Sequence, residues 1–301
     1  SGLEITGGST LVRLGACRQL WIDQCDLHGG GNVALTANSQ NCDHLFITRN
    51  RIHDPGPSTA TAEGMYLGGN YGSVVVHHSV IASNEVYDCH GLQGDGIELK
   101  QGSYDNWIVG NHIYRCDYPC ITVYGNDGKG INLIENNVCH ESGDHVMQVQ
   151  GDAIVRNNLA ICAEGAAFYS MDHQGTVNHL EVYNNTFVNE GNAVELRNWN
   201  SKTGMIFSSN ACYSTQGKAL QVTAGHKGAR VADNVVFGRV TGVDGPLIYS
   251  DRGLADFMHI SPDGKNRDAR PVEGSILLSP PDPFAQKPPI QIGCNGATSC
   301  E

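Results

Sequence analysis

The sequence repeats a short pattern: an apolar residue, an asparagine three positions later, and a second apolar residue two positions after that. Ile108, Asn111 and Ile113 form one such group. The central positions of the equivalent groups are Cys25, Asn50, Asn84, Asn136, Asn157, Asn185, Asn210 and Asn234. Neighbouring groups lie 21 to 34 residues apart along the chain. A period in this range is typical of a solenoid, in which each repeat packs against the next one.

Each repeat also contains a stretch in which apolar and polar residues alternate. In residues 96–100, Ile97 and Leu99 alternate with Glu98 and Lys100. A period of two predicts a β-strand with one buried face and one face toward solvent. We therefore expect an all-β solenoid of about nine coils, with three short strands in each coil.

The solvent-facing positions of these alternating strands form two columns when the repeats are aligned. The first column consists of Ala34, Tyr66, Glu98, Thr122, Gln148, Tyr169, Glu195 and Gln221. The second column, two residues later in each repeat, consists of Thr36, Gly68, Lys100, Tyr124, Gln150, Met171, Arg197 and Thr223. Because neighbouring strands lie about 4.8 Å apart, both columns are expected to line one surface. The insertions at residues 54–63 and 88–95 are expected to overhang that surface, where binding residues usually occur.

Composition supports one elongated domain rather than several compact ones. The chain has 37 glycines, and only 17% of its 301 residues are charged, which agrees with short strands joined by many turns. Residues 1–250 are predicted to form the repeat domain. Seven of the eleven prolines lie from Pro262 onward, so residues 251–301 are predicted to be a proline-rich segment. That segment is either packed irregularly on the last coils, with Ile276, Leu277 and Leu278 buried, or flexible.

The net charge of −12 argues against a nucleic-acid partner, because nucleic-acid binding needs a basic surface. The sequence contains no apolar run of about 18 residues, so no membrane span is expected. A monomer is the favoured oligomeric state.

The placement of the eleven cysteines suggests disulfides between coils. Cys17 and Cys42 occupy equivalent places in neighbouring repeats, as do Cys89 and Cys116. Positions one strand apart suit the Cα separation of a disulfide, roughly 4.4–6.8 Å. A further possible pair in the C-terminal segment is formed by Cys294 and Cys300. We therefore expect a secreted or cell-surface protein with disulfides; the alternative is a column of buried thiols that fill the core.

The repeats resemble the right-handed parallel β-helix proteins of the pectate lyase-like superfamily, over roughly residues 15–250. The resemblance implies that the chain forms such a helix and that its recurring asparagines stack as an internal ladder at the bend between the second and third strands of each coil. The implied ladder consists of Asn50, Asn84, Asn111, Asn136, Asn157, Asn185, Asn210 and Asn234. The superfamily includes polysaccharide lyases, glycoside hydrolases, uronate epimerases, phage tailspikes and adhesins, so fold alone does not assign a function.

The first candidate site lies around residues 169–173, which resemble the Tyr…Asp-Pro-His stretch of alginate C5-epimerases without the proline. Such enzymes remove a proton next to a uronate carboxylate, which requires a base, a group that neutralises the carboxylate, and a proton donor. Tyr169 or His173 could be the base, and Arg197 suits a carboxylate through its two-pronged guanidinium. The other members of this candidate site are Asp172 as a catalytic residue and Gln148, Gln150, Glu195 and Trp199 as substrate-binding residues. The alternative is an ordinary polar face of a sheet.

The second candidate site contains Asp95, Glu98, Lys100 and Tyr124. Some lyases of the superfamily use a lysine base together with a calcium ion held by acidic residues, so the resemblance implies Lys100 as base and Asp95 and Glu98 as possible Ca²⁺ ligands. The alternative is a surface ion pair, which contributes little to stability. Lys100 and Arg197 are predicted to lie four strands apart, roughly 19 Å, so they could flank one long oligosaccharide.

The preferred interpretation is an extracellular enzyme that acts on an acidic, uronate-containing polysaccharide by β-elimination or C5 epimerisation. The alternative is a non-catalytic glycan-binding or cell-surface structural β-helix. Glycoside hydrolysis by a pair of carboxyl groups is a third possibility, and Asp172 with Glu195 is the candidate pair for it. The thirteen histidines show no metal-binding spacing.

Overall fold

The computed structural model describes residues 1–278 as an all-β solenoid built from parallel strands. This confirms the predicted parallel β-helix with short strands in each coil. The first strand of each coil, the one before the bend, belongs to one continuous sheet. Its members are Arg18–Asp23, Cys42–Thr48, Val76–His77, Val80–Ala82, Trp107–Val109, Asn132–Glu135, Gly151–Arg156, Asn178–Tyr183, Met205–Ser208 and Arg230–Ala232. Within residues 1–278, no helix is long and apolar enough to cross a membrane.

The second strands follow the bend of each coil and stack in a second series. They are Glu4–Thr6, Asp26–His28, Arg51–His53, Glu85–Cys89, His112–Cys116, Val138–Ser142, Leu159–Ala163, Thr186–Asn189, Ala211–Val222, Asn234–Thr241 and Leu247–Tyr249. The third strands, here called the groove strands, are Thr10–Arg13, Val33–Ala37, Glu63–Leu67, Ile97–Leu99, Ile121–Val123, Met147–Val149, Phe168–Ser170 and Val194–Leu196. The long strand Ala211–Val222 continues from the second series into the groove series.

The pairing of the groove strands confirms most of the first predicted column. Tyr66, Glu98, Thr122, Gln148, Tyr169, Glu195 and Gln221 are successive register partners. Ala34 is the exception. The register partner of Tyr66 is Thr36, and Ala34 is fully buried. Lys100 and Arg197 therefore follow strands that lie four steps apart, as predicted.

An internal asparagine ladder is present, but two of its predicted members are wrong by one position. The ladder consists of Asn50, Asn84, Asn111, Asn137, Asn158, Asn185, Asn210 and Asn234, each accepting at Oδ1 the backbone N–H of the preceding member at 2.9–3.0 Å. Asn136 and Asn157 instead form the bend, with φ of 55° and 56°. Asparagine tolerates this left-handed conformation better than most residues, so an Asn-Asn pair suits both positions. A second, unpredicted row links Ser79, Asn106 and Asn132.

The C-terminal part of the described chain packs on the outside of the second strands. It contains short 3₁₀ turns at Gly253–Asp256 and Ile276–Leu278 and an antiparallel pair, Phe257–Ile260 with Arg267–Pro271. Phe257, Ile260, Ala269 and Leu277 join a buried cluster that includes Leu159, Val188, Tyr213 and Val235. Leu277 is fully buried, whereas Ile276 is half-buried and Leu278 is exposed. A further 3₁₀ turn, Asn70–Gly72, follows a groove strand.

No disulfide is present within residues 1–278. The nine cysteines of this part of the chain are free thiols, and most are buried in the helix interior. The predicted neighbours Cys89 and Cys116 are register partners, but their sulfur atoms pack as small apolar groups. Cys294 and Cys300 lie outside the described residues.

Candidate functional site

An open cavity of about 260 Å³ lies on the groove strands, where the two columns meet the overhanging loops. Its walls come from groove strands Glu63–Leu67, Ile97–Leu99, Ile121–Val123 and Met147–Val149 and from loops beside them. The chemically important lining residues are Tyr66, Asp95, Glu98, Lys100, Thr122, Tyr124, Gln148 and His173. The cavity thus combines the second predicted site with Gln148 and His173 of the first.

Lys100 forms the centre of the cavity floor. Its Nζ donates a hydrogen bond to Glu98 Oε1 at 2.6 Å and lies 4.8 Å from the ring centroids of both Tyr66 and Tyr124. The Lys100 and Glu98 side chains are only 4% and 6% exposed. Removing such ions from water costs several kcal/mol per ion, and a carboxylate partner with two aromatic faces offsets part of that cost. The ammonium is therefore held in a fixed place below the cavity opening.

Two further carboxyl groups, those of Glu63 and Asp95, are buried beside this ion pair. Thr61 Oγ1 donates to Glu63 Oε2, and Thr122 Oγ1 donates to Asp95 Oδ1, both at 2.6 Å. Burial raises the pKa of Glu63 to about 7, although the hydrogen bond from Thr61 opposes the shift. Burial, followed by the charge of Glu98, raises the pKa of Asp95 well above its usual value. A protonated carboxyl group donates a hydrogen bond, so the floor can accept another anion near neutral pH.

Aromatic groups form the sides and rim of the cavity. Burial, with the nearby Glu98 carboxylate, raises the pKa of both Tyr66 and Tyr124, so their hydroxyl groups keep their protons. The exposed imidazole of His173 stacks on Tyr124, with ring centroids 5.6 Å apart and planes 21° apart. His173 therefore reaches back over two groove strands from the loop in which it lies.

The His173 loop is fixed by hydrogen bonds from buried or half-buried side chains. Gln150 Nε2 donates to Gly175 O at 2.6 Å, and Gln150 Oε1 accepts from the Gly125 N–H at 3.2 Å. Asp172 Oδ1 accepts the Val177 N–H at 2.6 Å. Gln150 is only 2% exposed and Asp172 is committed to the loop, so neither has the substrate-binding or catalytic position that was predicted for it.

The remaining predicted residues form a separate group, here called the Arg197 patch, two strands beyond Gln148. His145 and Tyr169 stack with ring centroids 3.8 Å apart, and the Arg197 guanidinium lies 5.4 Å from the Tyr169 ring centroid. Arg197 donates to Glu195 Oε2 at 2.8 Å, and its side chain is 44% exposed. Although burial opposes it, hydrogen bonds from Arg197 and Asn192 hold the pKa of Glu195 below its usual value.

Trp199 does not lie in the groove. It is fully buried in the core, and its Nε1 donates to Ser170 Oγ at 3.0 Å. The predicted contact between this indole and a substrate is therefore wrong. Trp199 lies three residues beyond the end of groove strand Val194–Leu196, outside the alternation that directs side chains to the groove.

The predicted Ca²⁺ ligands do not fit a metal ion. Glu98 is bound to the Lys100 ammonium and Asp95 to the Thr122 hydroxyl. Among residues 1–278, no group of three or more His, Cys, Asp or Glu side chains is arranged to hold a metal. Calcium prefers six to eight oxygen ligands, whereas the centre of this carboxyl cluster already holds a side-chain cation.

Glu63 was missed at the sequence level, although a signal for it exists. Residues 63–67 read Glu-Gly-Met-Tyr-Leu, and residues 95–99 read Asp-Gly-Ile-Glu-Leu. The acidic residue precedes glycine in both repeats, and the strands that follow are register partners. Aligning the two repeats places Glu63 one strand away from Asp95.

The raised pKa of Glu63 predicts that the protein loses stability as the pH rises. A carboxyl group with a folded-state pKa of about 7 and an ordinary value of 4.5 stabilises the fold fully below its unfolded pKa and loses that contribution as pH passes its folded pKa. The Glu63 contribution to the free energy of unfolding is expected to fall by about 2–3 kcal/mol between about pH 5 and about pH 8. Urea titrations across this range measure it. Glu63→Gln is expected to remove this part of the decrease while the part due to the buried Asp95 carboxyl group persists. The exposed-site control Glu164→Gln is expected to leave the decrease unchanged; an equal decrease in all three proteins contradicts the assignment.

Comparison with known proteins identifies the kind of repeat. The family described as "right handed beta helix region" matches residues 1–132 and 77–211 in two overlapping segments. Among curated protein sequences, none matches this chain significantly. A similar solved structure is that of a point mutant of the periplasmic alginate epimerase AlgG, with a TM-score of 0.46 and 13% identity over 81% of this chain and 49% of that chain. The chain spans about half the length of that epimerase.

Proposed function

This chain belongs to the right-handed β-helix family, and on that premise we propose that it is a carbohydrate-active enzyme that removes the proton next to the carboxylate of a uronate residue in an acidic polysaccharide. The supporting observation is the convergence of Lys100, Glu98 and Asp95 at the floor of an open cavity, with the Glu63 carboxyl group buried beside them. Buried ionisable groups with perturbed pKa values cluster at functional sites because burial is costly without a function to maintain it.

The carboxylate of the uronate is proposed to bind to the cavity floor. Lys100 supplies a positive charge, and protonated Asp95 supplies a hydrogen-bond donor. Neutralising this carboxylate lowers the energy of the carbanion that forms when C5 loses its proton, because negative charge moves onto the carboxyl group. Since Lys100 Nζ already donates to Glu98, its proposed role is that of a charged donor rather than that of a base.

His173 is the proposed base, since its imidazole lies at the rim above the floor and stacks on Tyr124. It takes the C5 proton, and the electron pair of the broken C5–H bond becomes the C4=C5 double bond in an elimination. The C4–O bond breaks as this double bond forms, and the leaving oxygen takes the hydroxyl proton of Tyr124 or Tyr66. In an epimerisation, the same carbanion is instead protonated at C5 from the opposite face.

The Arg197 patch is proposed to bind a second part of the same polymer. Its guanidinium is half-exposed and lies on the same surface as the cavity. The nearest cavity strand is two steps away, roughly 10 Å, so a chain that fills the cavity can extend along the groove to it. Tyr169 belongs to this patch, and the proposal does not use it as the base.

The test is incubation with a panel of uronate polymers, with two readouts. Ultraviolet absorbance detects the unsaturated product of elimination, and NMR in D₂O detects the deuterium that epimerisation places at C5. His173→Gln is expected to lower either rate by about 10²–10⁴-fold, while the control His259→Gln, on the distant C-terminal hairpin, keeps it. Binding to the polymers without product or exchange would instead support the non-catalytic glycan-binding alternative.

An extracellular or periplasmic location is part of this proposal, because that is where an acidic polysaccharide is met. Fractionation of the source cells is the corresponding measurement.

A further inference from the structure

Three thiols meet inside the helix, directly behind the cavity. Cys89 and Cys116 occupy the same position in adjacent second strands and are register partners. Cys120 precedes the next groove strand, and all three side chains are at most 2% exposed. Hydrogen bonding to Cys120 raises the pKa of Cys116, and hydrogen bonding to Cys116 raises the pKa of Cys89. The Cys116 thiol thus has a thiol neighbour on each side.

These sulfur atoms pack against the backbone that carries the cavity carboxyl groups. A Cβ atom placed on Gly64 would lie 3.2 Å from Cys89 Sγ, and one placed on Gly96 would lie 3.3 Å from Cys116 Sγ. Gly64 directly follows Glu63, and Gly96 directly follows Asp95. A bond between the two sulfurs would therefore tie together the coils that hold both protonatable carboxyl groups.

We propose that Cys89 and Cys116 form an inter-coil disulfide when the protein folds in contact with a disulfide oxidant, such as oxidised glutathione or a thiol oxidase. In-register parallel strands about 4.8 Å apart lie within the Cα separation that a disulfide requires, roughly 4.4–6.8 Å. Cys120 is not a register partner of either cysteine, because it precedes the groove strand Ile121–Val123 whereas Cys89 and Cys116 both lie in second strands.

Forming the protein disulfide consumes one oxidant disulfide, which is reduced to two thiols. The thiolate of one cysteine attacks a sulfur of the oxidant, forms a mixed disulfide and releases one oxidant thiol. The second cysteine then attacks the protein sulfur of that mixed disulfide and releases the other oxidant thiol. Two electrons and two protons pass from the protein to the oxidant. Because both thiols are buried in the folded helix, the exchange takes place while the coils are still open.

The bond is expected to stabilise the fold, because it closes a loop of about 27 residues in the unfolded chain. The midpoint of thermal unfolding of the oxidised protein should lie several degrees above that of the reduced protein. This result does not depend on any enzymatic activity, so it stands or falls separately from the proposed function.

The test refolds the full chain with oxidised glutathione or with reductant, followed by alkylation in denaturant and peptide mapping. The expected result is an unalkylated, crosslinked pair of peptides containing Cys89 and Cys116, with the higher unfolding midpoint. Cys89→Ala and Cys116→Ala should each abolish the crosslink and the thermal difference, whereas Cys212→Ala, which removes another interior thiol, should keep both. Full alkylation of Cys89 after oxidative refolding, or a Cys116–Cys120 crosslink, would overturn the proposal.

Discussion

Replacing Lys100 with methionine is expected to lower kcat on a uronate polymer by about 10²–10³-fold, the usual effect of removing one stabilising donor from a reacting oxyanion. The effect follows from position: the ammonium is fixed by Glu98 and two tyrosine rings below the cavity opening. Methionine keeps the length of the side chain but removes the charge. Initial rates measured by product absorbance or C5 exchange test the prediction.

The same variant leaves Glu98 buried without its cation, which costs roughly 3–5 kcal/mol of stability. Loss of folding must therefore be separated from loss of chemistry. The double variant Lys100→Met with Glu98→Gln removes both charges, so it should regain stability but not turnover. Lys265→Met, at an exposed position in the C-terminal hairpin, serves as the matched control and should retain the full rate. Turnover that returned in the double variant would show that Lys100 does not neutralise the substrate.

Replacing Asn137 with alanine is expected to destabilise the fold by about 4 kcal/mol or more. Asn137 Oδ1 accepts from both nitrogens of Asn111, and its Nδ2 donates to Ile108 O and Asn158 Oδ1, all at 2.8–2.9 Å. Each partner is buried, so the substitution leaves donors and acceptors without water to replace the lost bonds. Urea unfolding monitored by circular dichroism measures the change.

The neighbouring residue supplies the control for the ladder. Asn136 has a φ of 55°, which glycine adopts without strain, and it lies outside the ladder. Asn136→Gly is therefore expected to change stability by less than about 1 kcal/mol. Similar losses in the two variants are the outcome that would contradict the ladder register.

The site shows where sequence reasoning succeeds and where it stops. The columns placed Glu98 and Gln148 two strands apart on one surface and Lys100 beside Tyr124, because strand register follows from repeat alignment. The repeats also allow Glu63 to be aligned with Asp95. Sequence reasoning grouped His173 with Tyr169, but the structure places its ring on Tyr124. A loop has no period, so its path is set by hydrogen bonds to distant coils rather than by its own residues.

The sequence by itself determined the solenoid, its strands and the surface on which the side chains converge. It could do so because the interior of a β-helix takes apolar side chains at alternate strand positions and hydrogen-bonded asparagines at the bends, and this requirement recurs along the coils. Only the tertiary structure decided which asparagine of the pair Asn136–Asn137 enters the ladder, that Trp199 is buried, and that Lys100 is enclosed by acids and tyrosines. These outcomes depend on contacts between coils, whose energies no local pattern contains.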